Sequence, residues 1–260
     1  MLYSMPRINP VSRQAEGLRF WVPPMVRPHN VIDGQLLSLG SEMITGAGKL
    51  EICPEGLPMW LYFGGDSYDI FDPTNATWLN GLTTFSVAAW IRTRMSGTIS
   101  QNIILAKHSA GTDGTFYLAL TDPSTIRMAV VNSASSRKDH DVSYDLQNGM
   151  LYHVAATYDG ANIRIYVNGV EIGSPTAQTG GLKTYATALR IGNYSGVAWN
   201  MHGRVGDARV YTRCLTTEDV SAMYDPRTRW ELYAQPPRVF ATTGSAPPVT
   251  GRSWAVMIGG

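Results

Sequence analysis

Charge is scarce in this chain: Asp, Glu, Lys and Arg make up 16% of its 260 residues, against roughly 25% in an average soluble protein. Twenty-one basic residues against twenty acidic ones leave a net charge of +1. No Lys/Arg cluster is long enough to neutralise a row of phosphates, so nucleic acid is not an expected partner. Cysteine is scarcer still. Cys53 and Cys214 stand far apart with no CxxC pair and no neighbouring histidines, which argues against zinc. No apolar run approaches the ~18 residues of a membrane-spanning helix. The opening MLYSMPRINPVSRQAEGLRF puts prolines and charges where a secretory signal needs an uninterrupted apolar stretch. Neither a membrane anchor nor signal-directed export is expected, and without export a disulfide is not expected either.

Apolar residues and turn formers are plentiful. Hydrophobic residues reach 44%, with 26 glycines and 15 prolines, so the surface must be built largely from Ser, Thr, Asn and Gly. That hydroxyl-rich skin suits turn-rich β architecture and a protein working outside a cytosol or on the outside of a particle. Run after run alternates with the period of a half-buried strand. FSVAAWIRTR (85–94) puts Phe85, Val87, Ala89 and Ile91 on one face and Ser86, Ala88, Trp90 and Arg92 on the other. Both faces are apolar enough for a strand covered on two sides. MWLYF (59–63), SYDIF (67–71), NIILAK (102–107), TFYLAL (115–120), TIRMAVV (125–131) and ALRIGN (188–193) read as further strands, and the glycine-bearing stretch 25–57 as loops with short strands such as 35–39.

In LYHVAATYDGANIRIYVNGVEIG (151–173), two turns each join a pair of alternating runs. Asn168-Gly169 supplies the positive φ angles of a type I′ turn, which makes Val167 and Val170 the shoulders of a tight hairpin. Twelve to fourteen strands and almost no helix are expected in all. The one helix is TTEDVSAMY (216–224), with Thr216 as N-cap and Asp219 completing a capping box. Asp225-Pro226 closes it.

Four stretches in order, LYFGGDSYDI (61–70), TTFSVAAWIR (83–92), YHVAATYDGANIRIYVNGV (152–170) and GRVGDARVYTRCLTTEDVSAMY (203–224), resemble the laminin-G-like, concanavalin A-like jelly roll. The resemblance implies an all-β, two-sheet antiparallel jelly-roll sandwich over residues 17–224, an N-terminal arm at 1–16 and an extended C-terminal arm at 225–260. It implies that the first strands and the closing strand lie side by side. Trp90, Val154, Ile165, Val167, Ile191 and Val210 are expected to pack between the sheets. Family members that hold calcium use aspartates where this chain has Gly64 and Gly206, so no metal is expected; Asp66 and Asp207 are the acids that could substitute.

Members of the same fold that cleave glycosides carry a Glu-x-Asp-x-(x)-Glu run, which provides paired carboxylates about 5 Å apart. This chain has no such run. Its acidic cluster Asp139-His140-Asp141 reads as a polar loop, and the imidazole of His153 as a structural group next to the core. There is no nucleotide fingerprint and no phosphate-cradling loop, so no catalytic residue and no cofactor are expected. The best ligand-binding candidate is the loop 193–202, through Tyr194, Trp199, Asn200 and His202, since aromatics with amides on a jelly-roll rim can stack on sugars. The alternative is that Tyr194 and Trp199 fill a gap beneath the loop or touch a neighbouring subunit.

Residues 225–260 hold Trp230, Leu232, Tyr233, Phe240 and Trp254, more apolar area than a free tail tolerates. This arm should dock, either on its own sandwich or on a partner. A laminin-G-like sandwich with a Tyr-Asp-Pro, Trp, Pro-Pro-Arg ending also resembles structural proteins of tailed bacteriophages. That resemblance implies a non-catalytic virion surface component, a head decoration or tail appendage, whose partners are other virion proteins or copies of itself, together with a cell-surface glycan. The competing reading is an extracellular carbohydrate-binding or adhesion module of a bacterium; a hydrolase with unrecognised carboxylates is a third.

Overall fold

Asn168 and Gly169 take φ angles of +51° and +82° in the computed structural model of this chain, and Val167 pairs with Val170 across them. This is the type I′ hairpin that Asn-Gly encodes. The structure describes residues 8–22, 32, 38–39, 50–51, 60–64, 70–71, 74–94, 102–110, 112–194 and 199–233. Within them the strands are β1 (Leu18–Val22), β2 (Ser38–Leu39), β3 (Leu50–Glu51), β4 (Trp60–Gly64), β5 (Ile70–Phe71), β6 (Phe85–Thr93), β7 (Asn102–Ala110) and β8 (Asp113–Asp122). They continue as β9 (Thr125–Val131), β10 (Arg137–Ser143), β11 (Leu151–Tyr158), β12 (Asn162–Val167), β13 (Val170–Ala177), β14 (Arg190–Ile191) and β15 (His202–Tyr211), and the helix α1 (Thr217–Tyr224) follows.

Two antiparallel sheets result. The first runs β13-β12-β11-β6-β15-β4-β3, with β1 also paired to β15; the second runs β10-β9-β8-β7-β14-β5-β2. Strands distant in sequence lie side by side, as the jelly-roll resemblance implies. β15 has β6 along one side, while its other side is shared between β4, opposite residues 202–205, and β1, opposite residues 208–211. The hand-over falls at a bulge between Gly206 and Arg209, where Asp207 takes φ +50°.

The core between the sheets gathers Phe85, Val87, Ala89 and Ile91 of β6 with Leu118, Met128, Val154, Ile165, Val167, Ile191 and Val210. Trp90, expected among them, is not there. The alternation of β6 turns it outward, where its ring stacks on Tyr224 at 5.8 Å, lies 5.2 Å from His153 and takes the Arg229 guanidinium at 5.6 Å. The same alternation explains why β6 is apolar on both faces. A second apolar layer of Trp21, Ala88, Ala155, Tyr166, Tyr211, Val220, Met223 and Leu232 lies outside the first sheet.

Helix α1 closes that layer and begins as expected, with the Thr216 hydroxyl accepting from the Asp219 N–H and the Asp219 carboxylate accepting from the Thr216 N–H. Arg213 and Arg13 both pair with Asp219, at 2.6 and 2.8 Å, and pin the helix start to the N-terminal segment. The first and last described segments meet here. Asn9 N–H donates to the Leu232 carbonyl at 2.7 Å, Gln14 Nε2 donates to the Thr228 carbonyl at 2.8 Å, and Leu232 is fully buried. Cys214 carries a free thiol; Cys53 lies outside the described residues.

Candidate functional site

With α1 and the terminal segments covering the first sheet, the outer face of the second sheet is where side-chain chemistry accumulates. Antiparallel pairing sets Tyr117 of β8 beside Ala106 of β7 and Ala129 of β9, and Ala129 beside Asp139 of β10. In the next row Ala119 faces Ile103 and Arg127, and Arg127 faces Asp141. Three alanines and Tyr117 form a small apolar cluster here, all of it buried.

Aromatic rings stand on one side of that cluster. The loop between β14 and β15 folds back so that the Ile103 N–H donates to the Trp199 carbonyl at 3.4 Å and the Met201 N–H to the Gly192 carbonyl at 2.8 Å. This brings Tyr194 and Trp199 over Ile103, Ala106 and Tyr117. The Trp199 ring lies 5.7 Å from Tyr117 and 5.2 Å from Tyr194, and His108 lies 5.1 Å from Tyr117 and 5.5 Å from Tyr194. All four contacts are edge-to-face, an arrangement that ring quadrupoles favour. Trp199 holds φ +73°, uncommon for a bulky side chain.

Charges stand on the other side. Arg127 Nε and Nη2 donate to the two oxygens of Asp141 at 2.6 and 2.7 Å, and its Nη1 lies 3.3 Å from Asp139. Arg137 donates to both oxygens of Asp139 at 2.6 and 2.7 Å, donates to the Tyr117 hydroxyl, and places its guanidinium 5.1 Å over the Tyr117 ring. The Asp141 hydrogen bonds raise the Arg127 pKa, those of Asp139 raise that of Arg137, and burial raises that of the Tyr117 phenol. The result is a stiff ladder of two arginines and two aspartates against a tyrosine.

The structure brings Tyr194 and Trp199 together, half-buried, with Asn200 beside Trp199 in the chain. It does not bring in His202, which opens β15 in the other sheet, gives its N–H to Asn102 Oδ1 at 2.6 Å, and makes no ring contact among the described residues. Residues 195–198 lie outside the described residues. Sequence reasoning missed Tyr117, His108, Arg127, Arg137, Asp139 and Asp141. The stretch 137–143 is a strand and not a polar loop: Arg137, Asp139 and Asp141 alternate with inward His140 and Val142. That period of two was the available signal.

Of the arm residues expected to dock, Leu232 is buried in its own sandwich and Tyr233 sits edge-on to Trp21 at 4.9 Å, so both are used within the chain. Trp230 is 36% exposed, and its ring lies 4.9 Å from the Arg229 guanidinium. Phe240 and Trp254 lie outside the described residues, as does Asp66. Asp207 is committed elsewhere: its oxygens accept from Trp21 Nε1 at 2.7 Å and from Arg209 Nη2 at 2.6 Å. No group of three or more His, Cys, Asp or Glu able to hold a metal occurs among the described residues. Lys107, buried, faces the interior and donates to Asn80 Oδ1 at 3.1 Å and to the Tyr185 carbonyl; its pKa is lowered to about 8 by burial.

The profile of the Concanavalin A-like lectin/glucanases superfamily matches residues 63–221. The chain belongs to this superfamily. No curated protein matches this superfamily member in sequence. Among solved structures, its sandwich is similar to the receptor binding domain of botulinum neurotoxin C/D mosaic serotype, with a TM-score of 0.60 and 12% identity over 80% of this chain and 51% of that one. The binding domain of Paraclostridial Mosquitocidal Protein 1 gives a TM-score of 0.63 and 12% identity over 80% and 52%. A structure whose title states that cell entry of botulinum neurotoxin type C depends upon interaction with two ganglioside molecules gives 0.58 and 13% over 80% and 51%. This lectin/glucanase-superfamily chain thus spans about half the length of the solved structures it matches, and at such identity the likeness is one of fold.

Proposed function

We propose that this chain is a non-catalytic glycan-binding sandwich whose site lies on the outer side of the second sheet at Tyr194 and Trp199, which cover the buried Tyr117. The observation that carries this reading is the pair of half-buried rings, Tyr194 and Trp199, standing over a floor of alanines beside a row of fixed hydrogen-bonding groups. Sugar rings present apolar C–H faces that stack on aromatics, and their hydroxyls need oriented donors and acceptors. The neighbours named for receptor and ganglioside binding support a binding role. Against hydrolysis stands the commitment of Asp139 and Asp141 to arginines, whereas glycoside cleavage needs one carboxyl to protonate the leaving group.

The test is a glycan array read with the full chain and with Trp199→Ala and Tyr194→Ala. Binding that falls at least tenfold in both variants, with unchanged melting, supports the site. A silent array, or binding indifferent to both substitutions, rejects it, and release of reducing sugar would reject the non-catalytic reading.

As the setting we propose a virion surface, a head decoration or tail appendage, where the chain meets other virion proteins or copies of itself; an extracellular bacterial adhesion module is the alternative. What supports the virion is the resemblance of the Pro- and aromatic-rich ending to structural proteins of tailed bacteriophages; its first residues, 225–233, dock on the chain's own sandwich through Leu232 and Tyr233. An oligomer that dissociates when residues 234–260 are removed supports assembly; a monomer at all concentrations speaks for the adhesion module.

A further inference from the structure

We infer that Asn148 is a self-modification site, where the folded chain converts the Asn148 carboxamide to a carboxylate through the backbone nitrogen of Gly149. Asn168-Gly169 of the I′ hairpin is one of three Asn-Gly pairs, the others being Asn80-Gly81 and Asn148-Gly149. In each, glycine presents a backbone nitrogen that no side chain of its own obstructs, one residue from a carboxamide carbon. The Gly149 nitrogen bonds to the Asn148 Cγ as the Cγ–Nδ2 bond breaks, and the glycine N–H proton leaves with that nitrogen as ammonia. Water then opens the cyclic imide at one carbonyl to give aspartate or at the other to give isoaspartate.

Local chemistry makes the three pairs alike, and the fold sets them apart. The Asn80 Oδ1 accepts from the buried Lys107 ammonium at 3.1 Å. Its neighbour Gly81 donates N–H to the Leu182 carbonyl at 3.1 Å, and Leu182 N–H returns to the Leu82 carbonyl at 2.7 Å. The Asn168 Oδ1 accepts from the His153 N–H at 2.9 Å, and Gly169 lies so close beneath α1 that a methyl group would meet Ser221 and Tyr224 at 3.2 and 3.3 Å. Folding Cγ onto the next nitrogen must first break those contacts. Asn148, by contrast, is exposed in a turn closed by Met150 N–H to the Gln147 carbonyl at 3.1 Å, and nothing lies within 4 Å of where a Gly149 side chain would begin. Two hydrogen bonds tether this turn to β6: Gly149 N–H to the Thr93 carbonyl at 2.8 Å and Arg92 Nε to the Gly149 carbonyl at 2.6 Å. An exposed turn opens locally at far less cost than the whole domain, so the reaction proceeds at Asn148 while both sheets stay intact. The carboxylate it creates cancels the chain's net charge of +1, and isoaspartate lengthens the backbone beside the Arg92 tether.

The experiment incubates the full wild-type chain at mildly alkaline pH and follows the three asparagines by peptide mapping, scoring the mass gain and isoaspartate at each. A parallel sample is unfolded in urea. The expected result is conversion at Asn148 at least tenfold faster than at Asn80 or Asn168 in the native chain, with the three rates drawing together in urea. Native Asn80 or Asn168 keeping pace with Asn148 overturns the inference. So does a native Asn148 slowed as much as the other two relative to urea, which would mean that the Thr93 tether protects it. An order of rates that is the same in urea as in the native chain overturns it as well, because the fold would then not be what selects the site.

Discussion

Asp207 and Arg209 face each other at 2.6 Å inside the protein, with the Arg209 side chain 2% exposed and the Asp207 side chain 11%. The pair sits at the bulge where β15 passes from β4 to β1. Gln14 Oε1 accepts from Arg209 Nη1 at 2.7 Å and Trp21 Nε1 donates to Asp207, so both early segments of the chain are tied to the closing strand through one ion pair. Burial alone would lower the Arg209 pKa, and the charge and hydrogen bond of Asp207, together with Tyr211 and Tyr233, raise it overall.

Removing the carboxylate leaves a buried, unpaired guanidinium. Asp207→Ala should therefore cost about 3–5 kcal/mol, read as a drop in the urea midpoint. Part of any loss comes from the left-handed backbone at φ +50°, which Asn tolerates better than Ala, so Asp207→Asn isolates the charge. If both variants melt like the parent, the pair is not structural.

Acid should destabilise the fold through His153. Its imidazole is buried beside Trp90 and its pKa is lowered to about 3, first by burial, then by the Arg209 charge and against the pull of Asp207. The unfolded chain takes up this proton near pH 6.5 and the native chain does so only near 3. Stability should thus be complete above about pH 6.5 and fall toward pH 3 by up to about 1.36 kcal/mol per pH unit. His140, also lowered by burial, adds to the same slope. His153→Phe should flatten the profile by one proton; an unchanged slope in a folded variant contradicts the assignment.

Two glycines should respond differently to a methyl group. At Gly203 a Cβ would meet the Arg92 carbonyl oxygen at 2.2 Å, between β15 and β6, with φ +138°. At Gly149 nothing lies within 4 Å and φ is +78°. Gly149→Ala should cost about 1–2 kcal/mol, the penalty of left-handed backbone alone. Gly203→Ala must also push two central strands apart, and differential scanning calorimetry should show a clearly larger loss or no folded protein.

Trp90 links the sandwich to the start of the C-terminal arm through Tyr224 and Arg229. Trp90→Ala should lose about 1–2 kcal/mol of stacking and cation–π contact and speed proteolysis within residues 225–233, while the core melts cooperatively. A cut pattern identical to the parent would show that the arm is held without it.

Local chemistry wrote much of this fold into the sequence. A period of two marked the strands, Asn168-Gly169 the I′ hairpin, and Thr216 with Asp219 the helix start, because each depends on neighbours a few residues apart. Which outward face is covered depends on distant segments. Alternation along β6 already set Trp90 opposite Phe85, Val87, Ala89 and Ile91, but what covers it was decided only by α1 and residues 225–233. The period of two over 137–143 marked a strand, but that its acids meet Arg127 was decided only by pairing with β9. Tyr194 and Trp199 were legible as candidates, but their floor comes from β7, β8 and β9, and only pairing between strands far apart in the chain assembles it. Propensity acts within a few residues, whereas burial and ion pairing act across whatever space the tertiary fold brings together.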